Sequence, residues 1–241
     1  MRRVVYTAVT DGYDLHPVIN RRDGWDFVCF AESAVRGEGW REIRIGAGDR
    51  VVDESISEDR SKTTKRIKIL PHVFLPDYDL SIWIDSSLQF KRDVDLDVLA
   101  GDFPESRFQM RVRQHPYRRC IYREAETVVE LDLDVPKRVA RIVARYRHDG
   151  FPEDFGLAEL NFILRKHHSP TAVAFADAWW AEVRDGSRRD QLSFNYVLWK
   201  NPIDVDFIDE RVGAEIEALS HGRDRGSFFN STFNFYPTRH R

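Results

Sequence analysis

"YDLSIWIDSSLQF", Tyr78 to Phe90, carries an apolar run from Leu80 to Ile84 that breaks on Asp85 and two serines. A short apolar run bounded by turn residues reads as a strand bound for the core. A carboxylate at its end must be paired, hydrated or used, because an isolated buried charge is too costly. In open α/β sheets, ligands bind in the crevice outside the carboxyl ends of the strands. Asp85 therefore belongs to a cleft if the neighbouring segments build such a sheet.

Working outward, they do. "RRVVYTAVT" is β-branched and stops at Asp11-Gly12-Tyr13-Asp14, a strand followed by a turn. "WDFVCFAE" from Trp25 and "WREIRI" from Trp40 are further strands, and "RFQMRVRQH" and "AELNFILRKH" two more. Residues 57–69 read as a basic helix closed by Pro71, and residues 120–148 as a helix with Val139, Ile142 and Tyr146 on one face and Arg138, Arg141 and Arg145 on another. "SPTAVAFADAWWAEV" begins as a capped helix, "RDQLSFNYVLWK" follows as another, and the aromatic tail "SFFNSTFNFYPTRHR" is expected to pack back on the body. Strands alternating with helices predict an α/β sandwich with a mostly parallel central sheet. No repeat, linker or composition break demands a second domain, so one domain over 1–241 is expected. Asp11 and Asp85, each at a strand end, fall on one working edge.

Composition bounds the function. With 42% hydrophobic and 32% charged residues, the chain is of the ordinary globular kind. The net charge of −3 supplies no basic field for nucleic acid. Two cysteines, Cys29 and Cys120, make neither a disulfide framework nor a cysteine metal site, and fit a reducing compartment. The N-terminal apolar run is too short for a signal peptide, and no run approaches the ~20 apolar residues of a membrane span. A cytoplasmic protein is expected, with peripheral membrane contact allowed through the basic face of residues 136–148. No dinucleotide, Walker or G-x-S-x-G motif occurs.

Several polar clusters could carry chemistry. Asp85 could hold a divalent cation bridging diphosphate oxygens, or merely cap the following turn. Asp190 could be the N-cap of its helix or orient an acceptor hydroxyl, with Arg188 and Arg189 as phosphate ligands. The basic helix offers Lys62 and Arg66 on a shared face, although such runs are more often solvated. "RQHPYRRCIYREAE" sets His115, Tyr117, Arg118 and Glu124 close together, which suits a sugar-like or anionic ligand as well as a salt-bridged helix start.

Taken in order, "VVYTAVTDGYD", "WDFVCFAE", "RSKTTKRIKILPHVFLPDYDLSIWIDSSLQF", "HPYRRCIYREAE" and "RRDQLSFNYVLWK" resemble the mucilage-related glycosyltransferase family, which includes plant proteins described as alkaline ceramidases. The resemblance spans about residues 4–200 and is most specific over Lys65–Leu88. It implies a glycosyltransferase-A-like fold, with a nucleotide-binding half over about 1–110 and an acceptor half over about 111–241. It implies a nucleotide-sugar donor and a carbohydrate acceptor, in surface polysaccharide or glycoconjugate synthesis. By position, Thr7, Asp11 and Tyr13 would lie near the nucleotide, and Arg60, Lys65 and His72 near the donor phosphates. Asp85 would take the place of the metal-binding Asp, for Mn or Mg. Asp190 and Gln191 would face the transferred sugar and acceptor, and His115 and Glu124 would line the acceptor side. The chain departs from the family in having Asp85-Ser86-Ser87 where Asp-Gly-Lys is expected, which removes a cation and supplies no second acid. A non-catalytic nucleotide- or glycan-binding domain is the alternative motivated by that departure. A lipid amide hydrolase ranks below it, because no clustered histidines or nucleophile elbow is present.

Overall fold

The computed structural model describes residues 1–10, 24–34, 39–46, 59–86, 90 and 94–208. β1 (Arg3–Val9) is the strand around which the sheet is laid, buried at every position after the first. β2 (Asp26–Ala31) pairs with it in parallel, Val5 opposite Phe27, and β3 (Arg41–Arg44) extends the sheet outward. The chain then returns through α1 (Arg60–Ile69) and α2 (Pro71–Phe74), and β4 (Leu80–Ile84) pairs with the other side of β1. Strand order therefore reverses between β1 and β4, and at such a switch point two connections diverge and leave a crevice at the carboxyl ends.

The second half adds α3 (Leu96–Ala100), β5 (Met110–Gln114), α4 (Ile121–Glu130), α5 (Pro136–His148), β6 (Ala158–Lys166), α6 (Pro170–Asp185), α7 (Gln191–Lys200) and β7 (Val205–Ile208). The described sheet has seven strands in the order β3-β2-β1-β4-β6-β5-β7. β6 runs antiparallel to β4 and β5 while the other pairs are parallel, so the sheet is mostly parallel, as the alternation predicted. Because β6 is reversed, its amino end lies beside the carboxyl ends of β4 and β5.

Period-two alternation divides the core. Val4, Tyr6, Ala8, Phe30 and Trp83 pack under Ile67, Val139, Phe175, Trp179 and Phe194 from the helices. Val5, Phe27, Ile82 and Ile84 pack on the opposite face with Leu96, Leu99 and Phe103. Both cysteines are free and buried.

Local details depart from the sequence expectation. The stretch over 120–148 that reads as helical is two helices, α4 and α5. Asp132 adopts φ 51° and Val135 is extended ahead of Pro136, whose ring a helix accepts only in its first turn. Pro71 closes α1 and at once opens α2 from its first turn. Ser169 precedes α6 without a capping hydrogen bond from its side chain. The short α3 and β7 carry too little periodicity to announce themselves. The aromatic tail lies outside the described residues.

Candidate active site at the carboxyl end of β4

α1 runs back along β1. Thr10 Oγ1, just past the strand, lies 2.6 Å from Thr64 Oγ1, and Tyr6 Oη donates to the Lys68 carbonyl at 2.8 Å. This path fixes α1 over the sheet face that carries Trp83 and Asp85. Lys65 and Lys68, three residues apart, project from one side of the helix. Asp190, immediately before α7, meets them: its Oδ1 is 3.1 Å from Lys65 Nζ and its Oδ2 is 2.7 Å from Lys68 Nζ. Lys68 Nζ also stands 3.5 Å from Asp85 Oδ1, which accepts a 2.7 Å hydrogen bond from Trp83 Nε1. The Asp85 amide donates to the Asn161 carbonyl at 2.9 Å, which ties the strand end to β6.

Access differs along this chain of alternating charges. The side chain of Asp85 is 34% exposed and that of Lys65 17%, whereas Asp190 is at 6% and Lys68 at 1%. Burial alone would raise the Asp190 pKa, but Lys65 and Lys68 outweigh it and hold the carboxyl well below the usual carboxylate range. Burial lowers the Lys68 pKa, against the support of Asp190 and then Asp85. Asp190 is not the side-chain N-cap of α7 that sequence suggested; its carboxylate turns to the lysines instead.

The turn holding Asp190 is itself anchored. The fully buried Asp134 carboxylate accepts from Ser187 Oγ at 2.5 Å and from the Arg188 amide at 3.0 Å, as well as from Val135 and Arg138 at the start of α5. Arg188 Nε donates to the Leu133 carbonyl at 2.9 Å rather than facing a phosphate. Lys62 is buried and donates to the carbonyls of Arg184 and Gly186 at 2.7 and 3.3 Å, closing the end of α6. A Cβ at Gly186 would meet the Glu182 carbonyl at 2.5 Å, so the backbone approach there requires glycine.

Of the residues singled out from sequence, the fold brings Asp85, Lys65 and Asp190 into one cluster. Gln191 is adjacent but donates to the Ala158 carbonyl at 2.8 Å, bracing α7 against β6. Arg60 lies on the same edge, exposed and paired with Glu32 at 3.2 Å just past β2. His115 and Glu124 form a second cluster at the carboxyl end of β5. There, His115 Nδ1 accepts from the amides of Tyr117 and Arg118, and Arg118 Nε donates to Glu124 Oε2 at 2.5 Å. Burial and Arg118 push the His115 pKa down to about 4. Two residues stand apart. Thr7 is buried in β1 on the face opposite Tyr6. His72 on α2 faces Asp177 of α6 at 3.7 Å, because Pro71 turns the chain away from α1. Asp11 and Tyr13 lie outside the described residues.

Sequence reasoning missed Lys68, which it left on a solvated face. The available signal was its setting, "RIKIL", where isoleucines on both sides place the lysine inside an apolar run. The arginines of α5 are likewise engaged: Arg138 with Asp134, Arg145 with Glu182 and Arg141 with the Asp185 carbonyl. A separate cavity of about 540 Å³ opens at the amino ends of the strands, lined by Arg2, Asp26, Trp40, Arg41 and Tyr78. Its polar groups answer one another, Tyr78 Oη donating to Asp26 at 2.6 Å and accepting from Arg41 at 3.3 Å.

A catalytic Mg²⁺ or Mn²⁺ takes about six oxygen ligands, one or two of them protein carboxylates and the rest substrate phosphate oxygens and water. Among the described residues no group of three or more His, Cys, Asp or Glu side chains converges. The two carboxylates nearest each other across the cluster are already bridged by an ammonium. Asp85 and Asp190 therefore do not fit a metal shared between them.

Comparison with known proteins decides the family. Residues 40–210 match the family model described as "TOD1/MUCI70, glycosyltransferase-like domain". The chain belongs to this family. The match takes in every member of the Lys65–Asp190–Lys68–Asp85 cluster. No curated protein sequence matches the chain. Among solved structures, mouse xyloside xylosyltransferase 1 in its apo form superposes with a TM-score of 0.48 at 10% identity, over 86% of this chain and 84% of that one. A glycosyltransferase involved in glycosylation of the major capsid of PBCV-1 superposes with a TM-score of 0.42 at 9% identity, over 86% and 81%. Among the described residues no helix is long and apolar enough to cross a membrane.

Proposed function

We propose that this protein is a glycosyltransferase that moves a sugar from a nucleotide-sugar to a hydroxyl of a carbohydrate acceptor. The observation that carries this reading is the position of the cluster. In a member of a glycosyltransferase-like family, a partly exposed carboxylate and a lysine pair stand at the carboxyl end of β4, beside the switch point of the sheet. The donor half is assigned to residues 1–110, and the acceptor half follows it.

In such a transfer the bond between the anomeric carbon and the diphosphate oxygen breaks, and the nucleoside diphosphate leaves with the electron pair. The acceptor oxygen forms the new bond, and its proton passes to an oxygen of the departing diphosphate or to water. Negative charge grows on the diphosphate, and cations fixed in place before the reaction stabilise it without reorganisation. The basic side of α1 supplies them. Asp85, with a third of its side chain in solvent, accepts a hydrogen bond from a substrate hydroxyl. Asp190 is a poor base, since its carboxyl is held so far below neutrality, and its part is to hold the two lysines. The His115–Arg118–Glu124 group, on the same sheet edge, lines the acceptor side.

The test is a thermal-shift panel of nucleoside diphosphates followed by a donor and acceptor screen. A ligand that binds only the native state raises its melting temperature. One base is expected to shift the protein, and Asp85→Asn is expected to fold normally while losing transfer. Flat curves with every nucleotide favour a non-catalytic glycan-binding domain, and wild-type turnover by Asp85→Asn removes that residue from the chemistry.

A further inference from the structure

We propose that the Lys65–Asp190–Lys68–Asp85 chain takes the place of a divalent metal, so that this site works on its donor diphosphate with protein cations alone. The inference rests on the glycosyltransferase reading above and deepens it. A metal shared by Asp85 and Asp190 would have to sit where both can reach it. Lys68 Nζ already occupies that position, 2.7 Å from Asp190 and 3.5 Å from Asp85. The lysine is not a visitor from the surface. It leaves the last turn of α1, is 1% exposed, and lies 5.7 Å from the centre of the Trp83 ring, while its own carbonyl accepts from Tyr6. Displacing it would strand an ammonium inside the core.

Charge counting points the same way. The two carboxylates carry two negative charges and the two lysines two positive ones, so the cluster has no surplus of negative charge with which to attract a dication. What it presents outward is Asp85 and Lys65, one acceptor and one ammonium. Lys65 is the group that meets the departing diphosphate. Its ammonium gains direction from Asp190 Oδ1 at 3.1 Å. Lys68 touches no substrate. It is a positioning residue that neutralises both carboxylates and keeps Asp190 aimed at Lys65.

The experiment has two arms. In the first, free Mn²⁺ is followed by its electron paramagnetic resonance signal during titration of the intact wild-type chain, with and without nucleoside diphosphate. The signal is expected to match that of the same titration without protein, with and without the nucleotide. Stoichiometric uptake that disappears in Asp85→Asn overturns the proposal. In the second, binding of the nucleoside diphosphate panel is compared in EDTA and in Mn²⁺. Equal affinity in both is expected, with a loss of about ten- to hundredfold in Lys65→Ala and recovery in Lys65→Arg. Binding that requires Mn²⁺ overturns the proposal and leaves the glycosyltransferase assignment standing. Binding of no nucleotide in either buffer overturns that assignment, and the role of Lys65 with it. Lys68→Arg keeps the cation and the donor affinity, while Lys68→Met, if it folds, is expected to lower affinity in EDTA and to gain Mn²⁺ uptake through the freed carboxylates. Unchanged affinity in a folded Lys68→Met counts against the positioning role.

Discussion

Asp190→Asn preserves the shape of the side chain and removes its charge. In the wild type the two oxygens lie 3.1 Å from Lys65 Nζ and 2.7 Å from Lys68 Nζ. At an effective dielectric of about 20, those separations correspond to roughly 5 and 6 kcal/mol of gross attraction. Most of it offsets desolvation, so the net effect is governed by what the variant leaves behind. That is Lys68, buried, with Asp85 3.5 Å away as its remaining acidic neighbour in the cluster. Breaking a buried pair by removing one partner costs about 3–5 kcal/mol. At about 2–4 °C per kcal/mol for a chain of this size, the expected drop in melting temperature at pH 7 is about 6–20 °C by scanning calorimetry. The pH dependence has a definite sign. Burial already lowers the Lys68 pKa, and loss of Asp190 lowers it further, so raising the pH lets the stranded lysine discharge. The gap between wild type and variant therefore narrows as pH rises. It narrows in acid as well, because the stabilisation from the depressed Asp190 pKa is complete above the ordinary carboxylate value and is lost as pH falls through the depressed one. A variant melting within about 2 °C of wild type at pH 7, or a gap that widens toward alkaline pH, refutes this account.

Further outcomes are expected elsewhere in the molecule. Lys62→Met removes two charge-assisted bonds at the end of α6 and is expected to lower urea stability by about 1.5–3 kcal/mol; an unchanged midpoint would mean those bonds contribute nothing net. Trp179→Ala empties a fully buried site between Phe175 and Phe194 and is expected to cost about 3–5 kcal/mol by the same measurement, so a loss below about 1 kcal/mol contradicts the packing. His115, with its pKa pushed down to about 4 by burial, binds fewer protons folded than unfolded between that value and its ordinary one. Its contribution is complete above about 6.5 and declines as pH falls toward 4, and an imidazole NMR titration with a midpoint near neutrality contradicts the buried geometry.

The sheet was legible because β-branched and apolar runs bounded by turn residues are a local signal. Leu80–Ile84 and Arg3–Val9 announce themselves as strands without reference to anything distant. Strand direction is not local. The alternation in Ala158–Lys166 would look the same in either sense, and its reversal is set by the path of the chain through α4 and α5. The site divides along the same line. Asp85, Lys65 and Asp190 were each visible as charged residues at element ends or on a basic helix. Lys68 was not, because its burial is created by Trp83 and Asp190, which reach it from elements far away in sequence. His72, which the resemblance set near the donor phosphates, follows the proline that ends α1 and stands 3.7 Å from Asp177 of α6, a tertiary contact with no local signal.

Trp83 is fully buried, edge-on to Tyr6 at 5.1 Å, with its ring nitrogen on Asp85 and the Lys68 ammonium near its face. Excitation of an indole redistributes electron density across its two rings, so the colour of its emission follows the electric field around it. Here that field is set by two of the charges that substrate is expected to disturb, at an indole shielded from water. A difference spectrum against Trp83→Phe isolates it from the other five tryptophans. The cluster thus carries a built-in optical probe, and changes of charge within it can be followed without attaching a label.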